Sequence, residues 1–272
     1  MTPNGDGSSI ASRIKKPSSR LVHLAGCIYG RGGVGKTTLL GTMPGAGLVI
    51  DVPQVEGGTM VLADHAERIK VIEVGKWEEL GEVYKYLRDE KHPFKWVAVD
   101  TATAVQELAK RKAIRERDLA ADPHQMTMQD WGKVGLLNAE LYYRFRLLKM
   151  HVIFLAQEQL RGTGEEGTLE YQPAVSPASL QALLPAMFLV GRLYVREVED
   201  PETKQTVVER RLRVGPHDRT VTKVRALPGR QLPPVIRNPN LGQIFAYLIG
   251  QDIPSPEAVA VEEEGIGIVE IA

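Results

Sequence analysis

Gly30-Arg31-Gly32-Gly33-Val34-Gly35-Lys36-Thr37-Thr38 is the stretch on which the fold turns. Glycine at its first and sixth positions, followed by Lys and Thr, is the pattern of a phosphate-binding loop. Each residue type has a physical reason. Glycines let successive backbone N–H groups turn inward around phosphate oxygens. The start of the helix that follows adds its positive end. Lys36 supplies a point charge to the β and γ phosphates, and Thr37 offers a hydroxyl to Mg²⁺. A glycine-rich structural turn would have no need of Lys36-Thr37-Thr38. Gly30, Arg31, Gly32, Gly33, Val34, Gly35, Lys36, Thr37 and Thr38 are therefore the candidate nucleotide-binding residues, with ATP and Mg²⁺ as the expected cofactors.

The flanks give this loop the context it requires. His23 to Tyr29 reads as a buried strand running into it, and a short helix follows from Lys36 to about Met43, stopped by Pro44-Gly45. Ala46 to Ile50 is a second apolar strand ending at Asp51, and Arg68 to Val74 a third. Trp77, Leu80, Tyr84 and Leu87, spaced 3, 4 and 3, mark one face of a helix that His92-Pro93 breaks. Trp96 to Val99 is an apolar strand ending at Asp100. Residues 102–120 read as helix, as do Val134, Leu137, Leu141, Phe145 and Leu148, before a buried strand from His151 to Ala156. Near-continuous apolar strands alternating with helices predict a parallel sheet covered on both faces. From Phe188 the pattern changes. Phe188–Val195 and Thr206–Val214 predict a hairpin around Asp200-Pro201-Glu202, a Pro/Gly-rich stretch spans 227–240, and a last helix lies near Leu241–Leu248. The expected class is α/β: a phosphate-loop NTPase core with a mostly parallel sheet flanked by helices and a C-terminal β-hairpin extension.

At 272 residues and 43% hydrophobic content the chain suits one full α/β domain with short appendages, and a disordered chain, a fibre or a coiled coil is excluded. No apolar run approaches the roughly 18 residues of a membrane span; the longest, Ala182 to Val190, is interrupted by Pro185. With no apolar signal segment either, no membrane association is expected. Cys27 is the single cysteine, which excludes an intrachain disulfide and a Cys-rich zinc site and fits a reducing cytoplasm. The balance of 34 basic and 34 acidic residues hides an asymmetry. Arg13, Lys15, Lys16 and Arg20 face only Asp6 in residues 1–20, whereas residues 251–272 are acidic without a base. The predicted organisation is a disordered basic arm (1–20), the ATPase domain (21–250) and an acidic flexible tail (251–272). The ends read either as solvated mobile termini or as a nucleic-acid arm and a tail that competes with it.

Asp100, ending an apolar strand, suits the Mg²⁺ shell or a helix N-cap. Residue 101 is Thr, so an acid that activates water has to come from elsewhere or be absent.

Tyr29-Gly30, Glu56-Gly57-Gly58, Val99-Asp100-Thr101 and Ala156-Gln157, together with the short helix after the loop, are similar to the reduced RecA-like P-loop ATPases that bacteriophages carry, AAA-type proteins of single-strand annealing recombination. The resemblance covers about residues 22–250. It implies a water-activating Glu56, with Asp51 as substitute; the family tends to Asp-x-Glu, whereas five positions separate the two here. It implies that Gln157 senses the γ-phosphate and connects to a DNA-binding loop, for which Arg161-Gly-Thr-Gly-Glu-Glu-Gly167 reads as mobile. It implies that Lys223 and Arg225, in Thr222-Lys-Val-Arg, reach into a neighbour's nucleotide. The catalytic candidates are thus Lys36, Glu56, Gln157, Lys223 and Arg225, and the metal candidates Thr37 and Asp100. The implied partners are single-stranded DNA, along the 158–176 loop, the basic head and Arg210, Arg211 and Arg213; further copies of the chain in a ring or filament; and a single-strand binding protein or helicase. The implied location is a bacterial host's cytoplasm.

Two other readings stay open. One is a nucleotide-gated binding module with little turnover. The other is a ParA/MinD-like partition ATPase, which Arg31 to Thr38 and Val49-Ile-Asp-Val-Pro-Gln54 resemble. Arg31 stands where that family has Lys, and only about ten residues separate Thr38 from the next strand, about half of what its helix needs.

Overall fold

A computed structural model describes residue 14 and residues 22–52, 58–117, 125–163, 168–200 and 203–259. The strands are β1 (Ala25–Gly30), β2 (Gly47–Asp51), β3 (Ile69–Glu73), β4 (Trp96–Asp100), β5 (His151–Thr163), β6 (Thr168–Pro173), β7 (Leu189–Glu199), β8 (Thr206–Arg213), β9 (Lys223–Val224) and β10 (Val235–Arg237). The helices are α1 (Lys36–Leu40), α2 (Trp77–Asp89), α3 (Ala102–Arg117), α4 (Met128–Arg146), α5 (Pro177–Ala186) and α6 (Leu241–Leu248), with a 3₁₀ segment at Gly58–His65.

The strands form one sheet in the order β10-β8-β7-β1-β5-β4-β2-β3. From β7 to β3 all neighbours are parallel. The strand β5 therefore lies between the loop-bearing β1 and the Asp100-bearing β4. The predicted hairpin is present, and its first strand enters the sheet beside β1, while β8 and β10 continue it antiparallel.

All of β1 is buried, because each face of the sheet is covered. Ala25, Cys27 and Tyr29 pack with Leu80, Tyr84, Val105, Tyr142 and Phe145, from α2, α3 and α4. Leu24 and Ile28 pack with Leu39 and Leu40 of α1 and with Ile244, Phe245 and Leu248 of α6. This is the period-two alternation of a strand sandwiched between two helical layers. Gly47 is required by packing: a Cβ there would lie 2.0 Å from the Trp96 ring, whose Nε1 donates to the Pro44 carbonyl at 3.1 Å.

Some boundaries differ from the sequence reading. α1 stops at Leu40 rather than near Met43. β5 does not end at Ala156 but runs to Thr163 and pairs antiparallel with β6, so residues 161–163 of the segment expected to be a mobile loop are strand; residues 164–167 lie outside the described residues. α5, which was not anticipated, starts at a Ser176 cap followed by Pro177 at its first turn. Of the predicted acidic tail, residues 257–259 lie along β10, where the Glu257 carbonyl accepts from the Arg237 amide and the Val259 amide donates to Val235. Residues 260–272, like all of the predicted basic arm except Ile14, lie outside the described residues. Among the described residues no helix is long and apolar enough to cross a membrane.

Candidate functional site

The C-terminal ends of the parallel strands line up in one row. Register pairs Gly30 with Gln157, Asp100 with Leu155, and Asp51 with both Asp100 and Glu73. In an open α/β sheet this is the edge at which ligands bind.

The loop joins β1 to α1 above this row. Gly33 and Gly35 have φ of 81° and 93°, a left-handed backbone that disfavours side chains. A Cβ on Gly32 or Gly33 would meet nothing within 4 Å, so the rim of the loop is open. Gly30 is the reverse case: a Cβ there would sit 2.2 Å from the Leu193 carbonyl oxygen, because the root of the loop is pressed against β7.

Lys36 is buried, at 7% exposure, and its amine is turned back into the loop. Nζ donates to the Gly30 and Arg31 carbonyls, both at 2.8 Å, and to Gln157 Oε1 at 3.1 Å. Burial lowers its pKa, and Asp100 and Glu158 oppose that shift. Thr37 Oγ1 donates to Asp100 Oδ2 at 2.7 Å. Burial raises the pKa of Asp100, opposed by the Thr37 hydroxyl and the Lys36 charge. The Asp51 pKa is also raised, first by burial and then by Asp100 and Glu73. Its contact with the Thr59 hydroxyl is long, at 3.5 Å.

Gln157 connects this corner to the rest of the sheet. Its amide donates to Thr103 Oγ1 in α3 at 3.1 Å, and its carbonyl accepts from the Ala174 amide at 2.8 Å. The next residue, Glu158, accepts from Arg192 Nε of β7 at 2.9 Å, and the Arg192 guanidinium lies 3.6 Å from the centre of the Tyr171 ring in β6. The Tyr29 hydroxyl, at the root of the loop, lies 3.0 Å from the Tyr171 carbonyl and 2.8 Å from that of Val221. Glu158 and Arg192 are not singled out by the sequence, and Tyr29 only as the residue leading the loop. Nothing in their spacing marks them, because each partner is supplied by another strand.

The other predicted residues are placed as follows. Arg31 and Thr38 are exposed on the loop and at the start of α1, and Val34 is buried beneath it. Glu56 lies outside the described residues. Lys223 and Arg225 do not join the row. Lys223 pairs with Val190 near the start of β7, at the end of the sheet away from the loop, and its amine bonds the Leu184 carbonyl of α5. The Arg225 side chain is exposed there, while its amide donates to the Phe188 carbonyl at 2.7 Å. The three arginines of β8 do not form one basic surface, which corrects their reading as a nucleic-acid face. Arg211 is fully buried, with Nε 2.6 Å from Glu209, and Arg213 is half-buried near Tyr194. Arg210 is on the opposite face and reaches the loop, where Nε donates to the Val34 carbonyl at 3.3 Å.

The donor set suits a magnesium–triphosphate. Mg²⁺ keeps several waters and takes one or two protein oxygens plus phosphate oxygens. A hydroxyl and a carboxylate at 2.7 Å match that need, and no cluster of three acidic or imidazole ligands is found among the described residues. The buried amine beside an open glycine rim supplies the positive charge.

No curated protein matches the chain. A family model describing an AAA domain matches residues 23–226, which covers the loop, Asp100, Gln157 and the Lys223/Arg225 segment. With most of its length inside that match, and with a mostly parallel α/β sheet carrying a phosphate loop, the chain belongs to the AAA-domain family of nucleotide-binding ATPases.

Proposed function

We propose that the chain is a magnesium-dependent ATPase of the RecA-like kind that works as a homo-oligomer on single-stranded DNA, in phage-type annealing, recombination or replication. The observation that carries the nucleotide part is the corner in which Thr37 bonds Asp100 at 2.7 Å while Lys36 bonds Gln157 at 3.1 Å. In this reading Lys36 exchanges its carbonyl partners for β- and γ-phosphate oxygens, and the loop amides hold the β-phosphate. Thr37 and Asp100 hold Mg²⁺, which when bound neutralises charge on the phosphates. Gln157, freed from Lys36, takes a different partner when the terminal phosphate is present.

Support for the DNA part is the connection from Gln157 into the β5–β6 hairpin, whose Arg161 and Leu160 are exposed. Backbone binding there would be electrostatic and weaken with salt. The brevity of α1, five residues, favours this reading over a partition ATPase. The test is ATP turnover with and without single-stranded DNA, repeated with Lys36→Ala. Stimulation by DNA in the native chain and none in the variant is expected. Turnover indifferent to DNA overturns the DNA part, and no turnover at all overturns the enzyme.

A second reading, a nucleotide-gated switch for a replication partner, is favoured by Thr101. Among the described residues, the carboxylate paired in register with Asp100 is Asp51 rather than an acid at position 101. Glu56→Gln and Asp51→Asn separate the two: an enzyme loses hydrolysis but keeps nucleotide in one of them, whereas a switch changes in neither.

A further inference from the structure

Arg210, on β8, is an exposed cation that lies against the nucleotide loop rather than with Arg211 and Arg213. Strand alternation places it. Leu212, two residues on, packs in the same core layer as Val34, and Arg211 and Arg213 point to the other face of the sheet. Register holds the Arg210 backbone opposite Val195, and its carbonyl accepts from the Asn238 amide at 2.8 Å. The side chain lies against Gly35: a Cβ on that glycine would be 2.7 Å from Arg210 Nε and 3.3 Å from Cζ and Nη2. Its bond to the Val34 carbonyl, at 3.3 Å, engages only one N–H of the guanidinium. The rest of the fork is open to a ligand.

The direction in which a triphosphate must lie fixes which part of it meets this cation. The Thr37–Asp100 pair, which would hold Mg²⁺ against the terminal phosphates, and Gln157 all stand on the β5–β4 side of the loop. A nucleotide whose terminal phosphates faced that side would run its α-phosphate end the other way, toward β7 and β8, where Arg210 stands. We infer that Arg210 is a nucleotide ligand supplied by the same chain, bonding the α-phosphate end of the bound nucleotide from the side opposite the metal. This rests on the phosphate-loop reading above.

The experiment is calorimetric titration of the full chain and of Arg210→Ala and Arg210→Lys with MgATP and MgADP, with melting temperatures recorded without nucleotide. ATP and ADP share the α-phosphate. The alanine variant is therefore expected to weaken both by the same factor, about tenfold for a charge-assisted bond. The lysine variant should recover part of the loss, and the nucleotide-free melting temperature should stay put. Unchanged affinities overturn the inference. Loss for ATP alone overturns it by moving the residue to the γ end. A fall in nucleotide-free melting temperature that tracks the affinity loss and is not relieved by lysine makes Arg210 a strut of the loop and overturns it too. A native chain that binds neither nucleotide overturns the phosphate-loop reading itself, and the inference with it; native binding with an indifferent alanine variant leaves that reading standing and removes only this one.

Discussion

Lys36 and Lys223 are the same residue type at opposite ends of one sheet, and they live in different chemistry. Lys36 is buried at the C-terminal ends of the strands, its amine shared between two loop carbonyls and an amide oxygen that a ligand can displace. Lys223 sits where β7 begins, bonded to one helix carbonyl beside the exposed Arg225. At the loop end, Lys36 bonds Gln157 and Thr37 bonds Asp100, all within this chain. The other end carries Lys223 and Arg225, with no phosphate loop beside them among the described residues. Lys36 is held where a ligand can displace its partners; Lys223 is held as a fastening between β9 and α5, with Arg225 exposed beside it.

The largest expected effect is at the loop end. Lys36→Ala should lower ATP turnover about a thousandfold, roughly 4 kcal/mol of lost charge stabilisation, while thermal melting of the nucleotide-free protein moves little. A variant that turns over ATP within tenfold of the native chain would break the comparison at its strong side. Asp100→Asn comes next, at about a hundredfold in turnover. The amide can still accept from Thr37, so nucleotide binding measured without magnesium should be retained; losing it would make Asp100 a structural cap.

At the other end the expected effect is on stability and follows pH. His151, at the start of β5, accepts from the Leu24 amide at 3.2 Å and stacks edge-on against His23. Burial, then the neighbouring imidazole, lowers its pKa to about 4. The folded state thus holds it neutral where the unfolded chain would protonate it. Its contribution is complete above pH 6.5 and is lost as pH falls toward 4, about 2 kcal/mol by pH 5. Urea midpoints at pH 7.5 and 5 measure it. His151→Asn, which keeps an acceptor, should flatten that slope, and an unchanged slope would place the acid sensitivity elsewhere.

The smallest effect tests whether the presented cations serve a neighbour. Lys223→Ala with Arg225→Ala should reduce turnover about tenfold (roughly 1.4 kcal/mol) with nucleotide affinity unchanged. Mixing this variant with Lys36→Ala subunits should restore part of the activity, because some interfaces then pair an intact loop with intact cations. No restoration would leave Lys223 as a fastening for α5.

What the sequence made legible follows the same division. The loop between β1 and α1, Asp100 at the end of β4, the apolar strands β1 to β4 and the helix at Leu241–Leu248 depend on short-range pattern, and they stand where the sequence places them. The β5–β6 hairpin was hidden, because glycines and charges around Arg161 look like loop until cross-strand pairing, such as Arg161 with Glu170, supplies the order. The Arg210 contact with Val34 spans 176 positions and has no local signature. The burial of Arg211 depends on Glu209 and on the β10 strand that covers it, neither of which residue type alone reveals.

One feature of β5 constrains how any message could leave the nucleotide end. Through Gln157 the strand is clamped beside β1; from Glu158 onward its ladder partner is β6 alone. Beyond that point it is contacts outside the β1 ladder that tie the hairpin to its neighbours, Glu158 to Arg192 of β7 and the Tyr171 carbonyl to the Tyr29 hydroxyl. The change of partner falls at Gln157, whose side chain bonds the loop lysine, so a ligand that drew Lys36 away from it would act at the root of the hairpin.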